Sequence, residues 1–199
     1  MPTIFSHAAV GFIAAKVTGP GSTTNKKVIA ASMILAALPD ADGLLFGRIP
    51  YGDPFGHRGF THSLFFACVA GLLTAGLFSR ANWAAEWSFW KLAGLFAVVT
   101  ASHGFFDAMT DGGLGIAFFA PFSNRRYFFL WRPILVAPMS PGVLLSERGF
   151  NVLRVEGELF WTFAAAVAIW DQKNKMHILL SAAFALVGIA FWFLALTRA

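Results

Sequence analysis

The chain has 199 residues, of which 57% are hydrophobic and 13% charged, and its mean hydropathy of +0.66 excludes a water-soluble domain of ordinary composition. The net charge of +5 would suit a nucleic-acid partner in a soluble protein. Here the basic residues flank apolar runs, where they suit anionic lipid headgroups, so no nucleic-acid partner is expected.

Apolar stretches predict helices along the whole chain, at about 4–17, 28–46, 63–79, 91–109, 158–170 and 176–197. A helix needs ~20 apolar residues to cross ~30 Å of hydrocarbon, so only the last stretch is a comfortable span. The pattern predicts an all-α fold, a polytopic membrane helical bundle with about 4–6 membrane-embedded helices. The stretch 110–157, punctuated by prolines, is predicted to be a long interfacial loop, and 1–199 a single membrane-embedded domain.

Chemically reactive side chains lie at the ends of these stretches. If the segments alternate in direction, the start of the first, the end of the second, the start of the third and the end of the fourth share one side of the membrane. Five residues occupy those ends: His7, Asp40, His62, His103 and Asp107. Ionisable groups beside hydrocarbon are costly unless they are paired, hydrated or bound to metal, so we expect these residues to form a metal site.

The fourth stretch ends in Ser-His-Gly-Phe-Phe-Asp. His103 and Asp107 are four residues apart, so a helix places them on one face, and imidazole with carboxylate is a common ligand set for zinc. Asp111 would extend that face by one more turn, although Gly112 and Gly113 indicate that the helix ends there. The alternative for His103 is a hydrogen-bonded core histidine.

The second stretch ends in Leu-Pro-Asp-Ala-Asp. Pro39 disfavours helical geometry at Leu38 and removes a backbone donor, so Asp40 and Asp42 should lie outside regular helix. Two carboxylates that follow an apolar run need a cation. For Asp42, capping of a following turn is an equal alternative.

The third stretch is preceded by His-Arg-Gly-Phe-Thr-His-Ser. Thr61 or Ser63 can cap the helix, which leaves His62 at its N-terminus, where the helix dipole favours the neutral, metal-binding imidazole. His57 is a second candidate ligand or a support for one. Arg58 suits bidentate contact with phosphate, and headgroup anchoring is its alternative.

Two carboxylates and one histidine lie later in the chain. Glu156 and Glu158 precede the fifth stretch on the side of the site, where they are either solvated at the interface or supply a further ligand or general base. His177 begins the last stretch on the opposite side and is expected to be structural.

The combination of His7, Leu-Pro-Asp-Ala-Asp, His-Arg-Gly-Phe-Thr-His-Ser, His-Gly-Phe-Phe-Asp and Pro-Phe-Ser-Asn-Arg-Arg resembles the YdjM-like family of bacterial inner-membrane proteins, described as metal-dependent hydrolases. The resemblance covers about residues 1–130, and we expect it to extend to the whole chain. It implies a multi-pass hydrolase of the bacterial inner membrane.

The order His, Asp, His, His-x-x-x-Asp is also similar to the zinc ligands of bacterial phospholipase C and the P1-type nucleases. This distant resemblance implies that Asp40, His62, His103 and Asp107 hold one ion, and that His7 with a bridging Asp107 holds a second. The ligands of a third ion have no match, because the only later histidine is His177. We therefore expect one or two divalent ions, with zinc as the first choice.

The expected reaction is metal-assisted hydrolysis of a phosphoester in a membrane lipid, either an anionic lipid or a lipid phosphate. A free carboxylate, Asp42 or Asp111, would orient the attacking water, and Arg58 or a second metal would stabilise charge on the phosphoryl oxygens. The alternative is a membrane metal-binding transporter or scaffold without turnover. A peptidase lacks support because no HExxH motif is present, and nothing in the sequence specifies an oligomeric state.

Overall fold

A computed structural model describes residues 2–19, 25–138, 141–171 and 173–198, and all regular elements in these ranges are helical. The α-helices are α1 (Ile4–Thr18), α2 (Lys26–Ala37), α3 (Leu64–Arg80), α4 (Phe89–Ala108), α5 (Pro141–Leu144), α6 (Glu147–Glu156), α7 (Thr162–Ile169) and α8 (Lys175–Arg198). Two 3₁₀-helices, Leu38–Leu45 and Phe60–His62, and one π-helix, Gly157–Trp161, complete the described elements. The predicted all-α class is confirmed.

Three segments are long and apolar enough to cross a membrane within the described ranges: Lys26–Leu45, Phe89–Ala108 and Lys175–Thr197. The predicted number of about 4–6 is therefore too high by this measure. Helices α1 and α3 are apolar but have 15 and 17 residues. At ~1.5 Å per residue they are about 22 and 26 Å long, less than the ~30 Å of hydrocarbon.

The helices pack as two neighbouring groups. Helix α3 packs along α4, and α2 lies against both α4 and α1. Between them is an apolar core that includes Val28, Leu35, Phe78, Leu92 and Phe96. Helix α1 also contacts α7, which packs along α8, so α1 joins the two groups.

Two glycines allow the helices that carry the reactive side chains to approach their neighbours. A Cβ at Gly11 of α1 would lie 2.3 Å from the carbonyl oxygen of Ser32 in α2. A Cβ at Gly104 of α4 would lie 2.8 Å from the carbonyl oxygen of His62. Both distances are shorter than van der Waals contact, so any larger residue would push these elements apart.

The predicted loop 110–157 is only partly a loop. It contains α5 and α6, and the non-helical part before them folds back on the end of α4 through isolated bridges. In one bridge, Ile116 and Tyr127 exchange two backbone hydrogen bonds of 2.8 and 3.0 Å. Ile116 and Phe118 pack with Ala108 in a small second core. This segment therefore covers the end of α4 where His103 and Asp107 lie.

Candidate metal centre

The elements described above bring the predicted ligands other than His7 together in two overlapping groups, and His7 lies against Asp107. One comprises Asp40, Asp42, His57 and His62, and the other comprises Asp40, His62, His103 and Asp107. In each group, one ligand atom per residue lies within 4.8 Å of all the others. His103 and Asp107 are completely buried, and His62 is 3% exposed.

Unpartnered polar atoms single out the second group. His62 Nε2, Asp40 Oδ2 and both carboxylate oxygens of Asp107 are buried without a hydrogen bond, and so is His7 Nε2. His62 Nε2 lies 3.6 Å from Asp107 Oδ2, and His7 Nε2 lies 3.4 Å from Asp107 Oδ1. Charge-assisted hydrogen bonds are shorter, ~2.7–2.9 Å. Since unpartnered buried polar atoms are costly, this set of nitrogen and carboxylate donors fits a divalent cation such as zinc.

The ring of His103 is oriented by the backbone. Its Nδ1 lies 2.8 Å from the carbonyl oxygen of Ala36, which can only accept, so Nδ1 carries the proton in the neutral ring. Nε2 then presents a lone pair, 3.1 Å from Asp40 Oδ1. Two acceptors at that distance need a proton or a metal between them. The ring of His7 stacks on that of His103, with centroids 3.6 Å apart.

Asp42, in contrast, has hydrogen-bond partners on both of its oxygens. Asp42 Oδ1 lies 2.6 Å from His57 Nδ1, and Asp42 Oδ2 accepts a 2.6 Å hydrogen bond from the hydroxyl of Thr61. His62 Nδ1 is 3.0 Å from that hydroxyl oxygen, so His62 can donate from Nδ1 and keep Nε2 for a metal. Asp42 therefore supports two histidines from outside the ligand set. Thr61 was missed as a site residue, and its position directly before His62 was the available signal.

Arg58 is 1% exposed and has a positive φ of 64°, a conformation that is costly for this residue. Its Nη1 donates to the carbonyl oxygens of Gly112 and Leu114 at 2.9 and 2.8 Å, and its Nη2 donates to the hydroxyl of Thr110 at 2.9 Å. Its Nε lies 3.3 Å from Asp107 Oδ2. The guanidinium predicted to contact phosphate is thus engaged with the protein and faces Asp107.

Two other predicted residues lie apart from the ligand groups. Helix α4 ends at Ala108, so Asp111 does not continue its face. Asp111 is exposed, and its Oδ1 accepts a 2.8 Å hydrogen bond from the backbone of Val136. His177 lies in the first turn of α8 and belongs to neither ligand group.

Glu156 forms a separate buried cluster with the start of the chain. Its carboxylate accepts hydrogen bonds from the backbone N–H of Thr3 at 2.6 Å, the hydroxyl of Ser6 at 2.5 Å and the hydroxyl of Thr3. Burial raises the pKa of Glu156, and the hydrogen bonds from Ser6 and Thr3 oppose that rise. Glu158 instead forms a 2.7 Å ion pair with Arg154. Neither carboxylate belongs to a ligand group.

Comparison with known proteins agrees with a membrane location. A family model described as YdjM inner membrane protein matches residues 1–197. The chain is also similar to the inner membrane protein YbcI of Escherichia coli (strain K12), with 38% identity over 175 residues, which cover 82% of this chain and 91% of that protein. No solved structure matches the chain.

Proposed function

The chain belongs to the YdjM inner membrane protein family and is a multi-pass protein of the bacterial inner membrane, and we propose that it is a metal-dependent hydrolase that cleaves a phosphoester of a membrane lipid. One observation carries the proposal. Five buried, unpartnered nitrogen and oxygen atoms converge from His7, Asp40, His62 and Asp107. Such a cluster between apolar helices is what a cation-dependent reaction requires.

Asp40, His62, His103 and Asp107 would hold the ion, with His7 against the second oxygen of Asp107. A zinc ion bound by these residues would act as a Lewis acid and would make hydroxide available at neutral pH. The surrounding residues keep the ligands in place. The carbonyl of Ala36 fixes His103, and the Nε of Arg58 lies 3.3 Å from Asp107 Oδ2.

His57 is the best candidate for the general base. Its Nδ1 lies 2.6 Å from Asp42, which would hold the proton on that nitrogen and leave Nε2 free to accept one. In this arrangement Asp42 is a positioning residue for the base, instead of orienting the water directly. Asp111 has no part in it, because its exposed carboxylate lies apart from the ligands and accepts a hydrogen bond from the backbone of Val136.

A lipid substrate is favoured by the surroundings of Asp40. The 3₁₀-helix that carries Asp40 continues into strongly exposed apolar residues, with Leu44 84% and Phe46 50% exposed. Exposed apolar side chains next to a polar cluster suit the boundary between headgroups and hydrocarbon. A lipid phosphate at this depth would meet the ligand cluster without leaving the membrane.

A transporter or scaffold that binds metal without turnover is the second candidate. The complete burial of His103 and Asp107 favours it, because a catalytic ion must keep a position open to substrate. The two candidates share their ligands and differ in whether any phosphoester is cleaved.

The test is release of phosphate or headgroup from phospholipids and polyprenyl phosphates in zinc-replete liposomes. We expect turnover by the wild type, none by Asp107→Ala, and a loss of about 10²–10⁴-fold in His57→Gln with the metal retained. Asp111→Asn is the matched control and should keep full activity. No release from any lipid by the wild type would overturn the hydrolase and leave the transporter or scaffold.

The variant Arg58→Lys tests whether the guanidinium contacts phosphate or supports the ligands. The guanidinium donates hydrogen bonds to three protein acceptors and also directs its Nε at Asp107, whereas an ammonium has three donors on a single atom, so lysine cannot make all of these contacts. We expect lower zinc affinity together with lower turnover. Lower turnover with unchanged zinc affinity would instead support direct contact of Arg58 with phosphate.

A further inference from the structure

A large cleft lies between α1, α7 and α8. Its volume is about 1050 Å³, and its walls include Val10, Phe163 and Ala185. Phe106 and Phe160 meet edge to face at one end, with ring centroids 5.0 Å apart. Among the described residues that line the cleft, none is a predicted metal ligand. The cleft is therefore a site separate from the metal centre.

Contacts along the cleft give its direction. Val10 of α1 packs with Phe160 at the closed end. Farther along, the carbonyl of Ala166 in α7 accepts a 2.7 Å hydrogen bond from Ser181, in the second turn of α8. From the closed end, both α1 and α7 line the cleft as far as their C-terminal ends, and α8 begins beside them. The other end of the cleft therefore lies where three helices end or begin.

This second end carries the two charged residues of the lining, one of each sign. Lys16 lies in the last turn of α1, and Asp171 follows α7 by two residues and is exposed. Trp170 beside them is 49% exposed. Tryptophan favours the boundary between hydrocarbon and water in membrane proteins. Ended helices, charge and tryptophan together indicate that the cleft opens at such a boundary.

The cleft between its two ends is apolar. Its indole N–H, from Trp192, already donates to the carbonyl of Leu159 at 2.7 Å, and its Ser181 hydroxyl is bonded as described above. Water needs two to four polar partners to remain in a cavity, and these walls offer few. An empty cleft would forfeit the dispersion contacts of its aromatic and aliphatic walls. Hydrocarbon is therefore the medium that suits the interior.

The charges at the mouth specify the group that the hydrocarbon must carry. The ion pairs of the described residues do not include one between Lys16 and Asp171, although both line the cleft. Asp171 Oδ1 accepts a 2.9 Å hydrogen bond from the backbone of Lys173, which uses one oxygen of the carboxylate. A ligand that brings both an anion and a cation to this end complements the two side chains.

We propose that the cleft binds one molecule of phosphatidylethanolamine, with its acyl chains between α1, α7 and α8, its phosphate at Lys16 and its ammonium at Asp171. A primary ammonium donates N–H bonds to a carboxylate, and a lysine donates to a phosphate. Phosphatidylglycerol has the same phosphate but no cation for Asp171. The site goes beyond the proposed hydrolase and does not depend on it, because it lies apart from the metal ligands.

The test is native mass spectrometry of the delipidated protein in detergent, with equal concentrations of phosphatidylethanolamine and phosphatidylglycerol that have identical acyl chains. We expect one bound phosphatidylethanolamine and a preference of about tenfold over phosphatidylglycerol, because a hydrogen bond between two charged groups is lost in the second lipid. Equal binding of the two lipids by the wild type would overturn the proposal.

Two substitutions at the mouth separate the two halves of the headgroup. Asp171→Asn keeps an oxygen for the backbone of Lys173 and removes the negative charge, so the preference should fall to about onefold. Lys16→Gln should weaken both lipids alike, because both carry the phosphate. An unchanged preference in Asp171→Asn would refute the contact with the ammonium.

A plug in the cleft supplies the matched comparison for the acyl chains. Ala185→Phe places a ring among the lining residues, whereas Ala183→Phe places it at an exposed position of the same helix. The ring takes the place of about two methylene groups, so binding of phosphatidylethanolamine should fall by about tenfold in the first variant only. If Ala185→Phe does not fold, as judged by its thermal transition, Ala185→Leu replaces it with a smaller effect in the same direction. Equal binding by the lining variant and Ala183→Phe would place the lipid outside the cleft and overturn the proposal.

Discussion

Asp107 and Glu156 are both buried carboxylates, yet their surroundings differ. Glu156 accepts three hydrogen bonds from neutral donors of Thr3 and Ser6. Asp107 faces His7, His62 and Arg58 at 3.3–3.6 Å, and neither of its oxygens has a hydrogen bond. Hydrogen bonds satisfy the carboxylate of Glu156 without a metal ion, whereas the carboxylate of Asp107 lacks such bonds. The partners of a buried acid, and not its burial, therefore distinguish a structural role from a metal-binding one.

The largest expected effect is loss of the ligands themselves. His103→Ala and Asp107→Ala should abolish zinc binding, because each removes one of four converging ligand atoms. His177→Ala, outside both ligand groups, should leave binding intact. Isothermal titration of detergent-solubilised protein measures all three, and an equal loss in every variant would point to misfolding and contradict the assignment.

A smaller effect on zinc affinity is expected for a residue that contacts the ligands but not the metal. Asp42→Asn should weaken zinc binding by about 10–100-fold, the range for residues that orient metal ligands, because it disturbs the contacts of His62 and His57. Asp111→Asn is the control, since that carboxylate is exposed and apart. Competition with a chromogenic zinc chelator gives the affinities, and equal values for the two variants would refute the supporting role of Asp42.

For the second carboxylate, Glu156→Ala should lower the free energy of unfolding and leave zinc binding unchanged. The substitution leaves the buried donors of Thr3 and Ser6 without an acceptor, which costs about 1–3 kcal/mol of folding stability. Thermal unfolding and zinc content measured on the same sample test both halves. Loss of zinc at unchanged stability would mean that Glu156 is a ligand and would remove the contrast with Asp107.

The smallest effect is a pH dependence. Burial raises the folded-state pKa of Glu156 above its ordinary value, so the protonated form is favoured by folding. Its stabilising contribution is complete below about pH 4.3, the ordinary pKa of Glu, and is lost as the pH rises through the raised folded value. Relative to Glu156→Gln, the wild type should therefore lose thermal stability with rising pH. Parallel curves for the two proteins would contradict this.

Local sequence patterns predicted the positions of the main helices and the convergence of the candidate ligands. The apolar stretches marked the helices within a few residues, and Pro39 marked the change from α-helix to 3₁₀-helix at Leu38. Alternating direction was enough to expect that His7, Asp40, His62, His103 and Asp107 converge, because they lie at four stretch ends on one side. These inferences needed only neighbours along the chain and one rule of topology.

Contacts between distant segments were not predictable in this way. The partners of Glu156 lie about 150 residues earlier, at Thr3 and Ser6. The role of Arg58 depends on how the segment after α4 folds back, since its acceptors are Thr110, Gly112 and Leu114. The number of spans was overestimated because α1 and α3 have the composition of membrane helices but not the length.

The most direct test of the metal centre is the zinc content and zinc coordination of the wild type beside Asp107→Asn and Glu156→Gln. Both substitutions remove the charge of a buried carboxylate at nearly constant volume. Elemental analysis should find one or two zinc ions per chain in the wild type and in Glu156→Gln, and a clear loss in Asp107→Asn. X-ray absorption should show nitrogen and oxygen ligands at ~2.0–2.2 Å. A wild type that stays metal-free in excess zinc, or equal zinc content in all three proteins, would contradict the account.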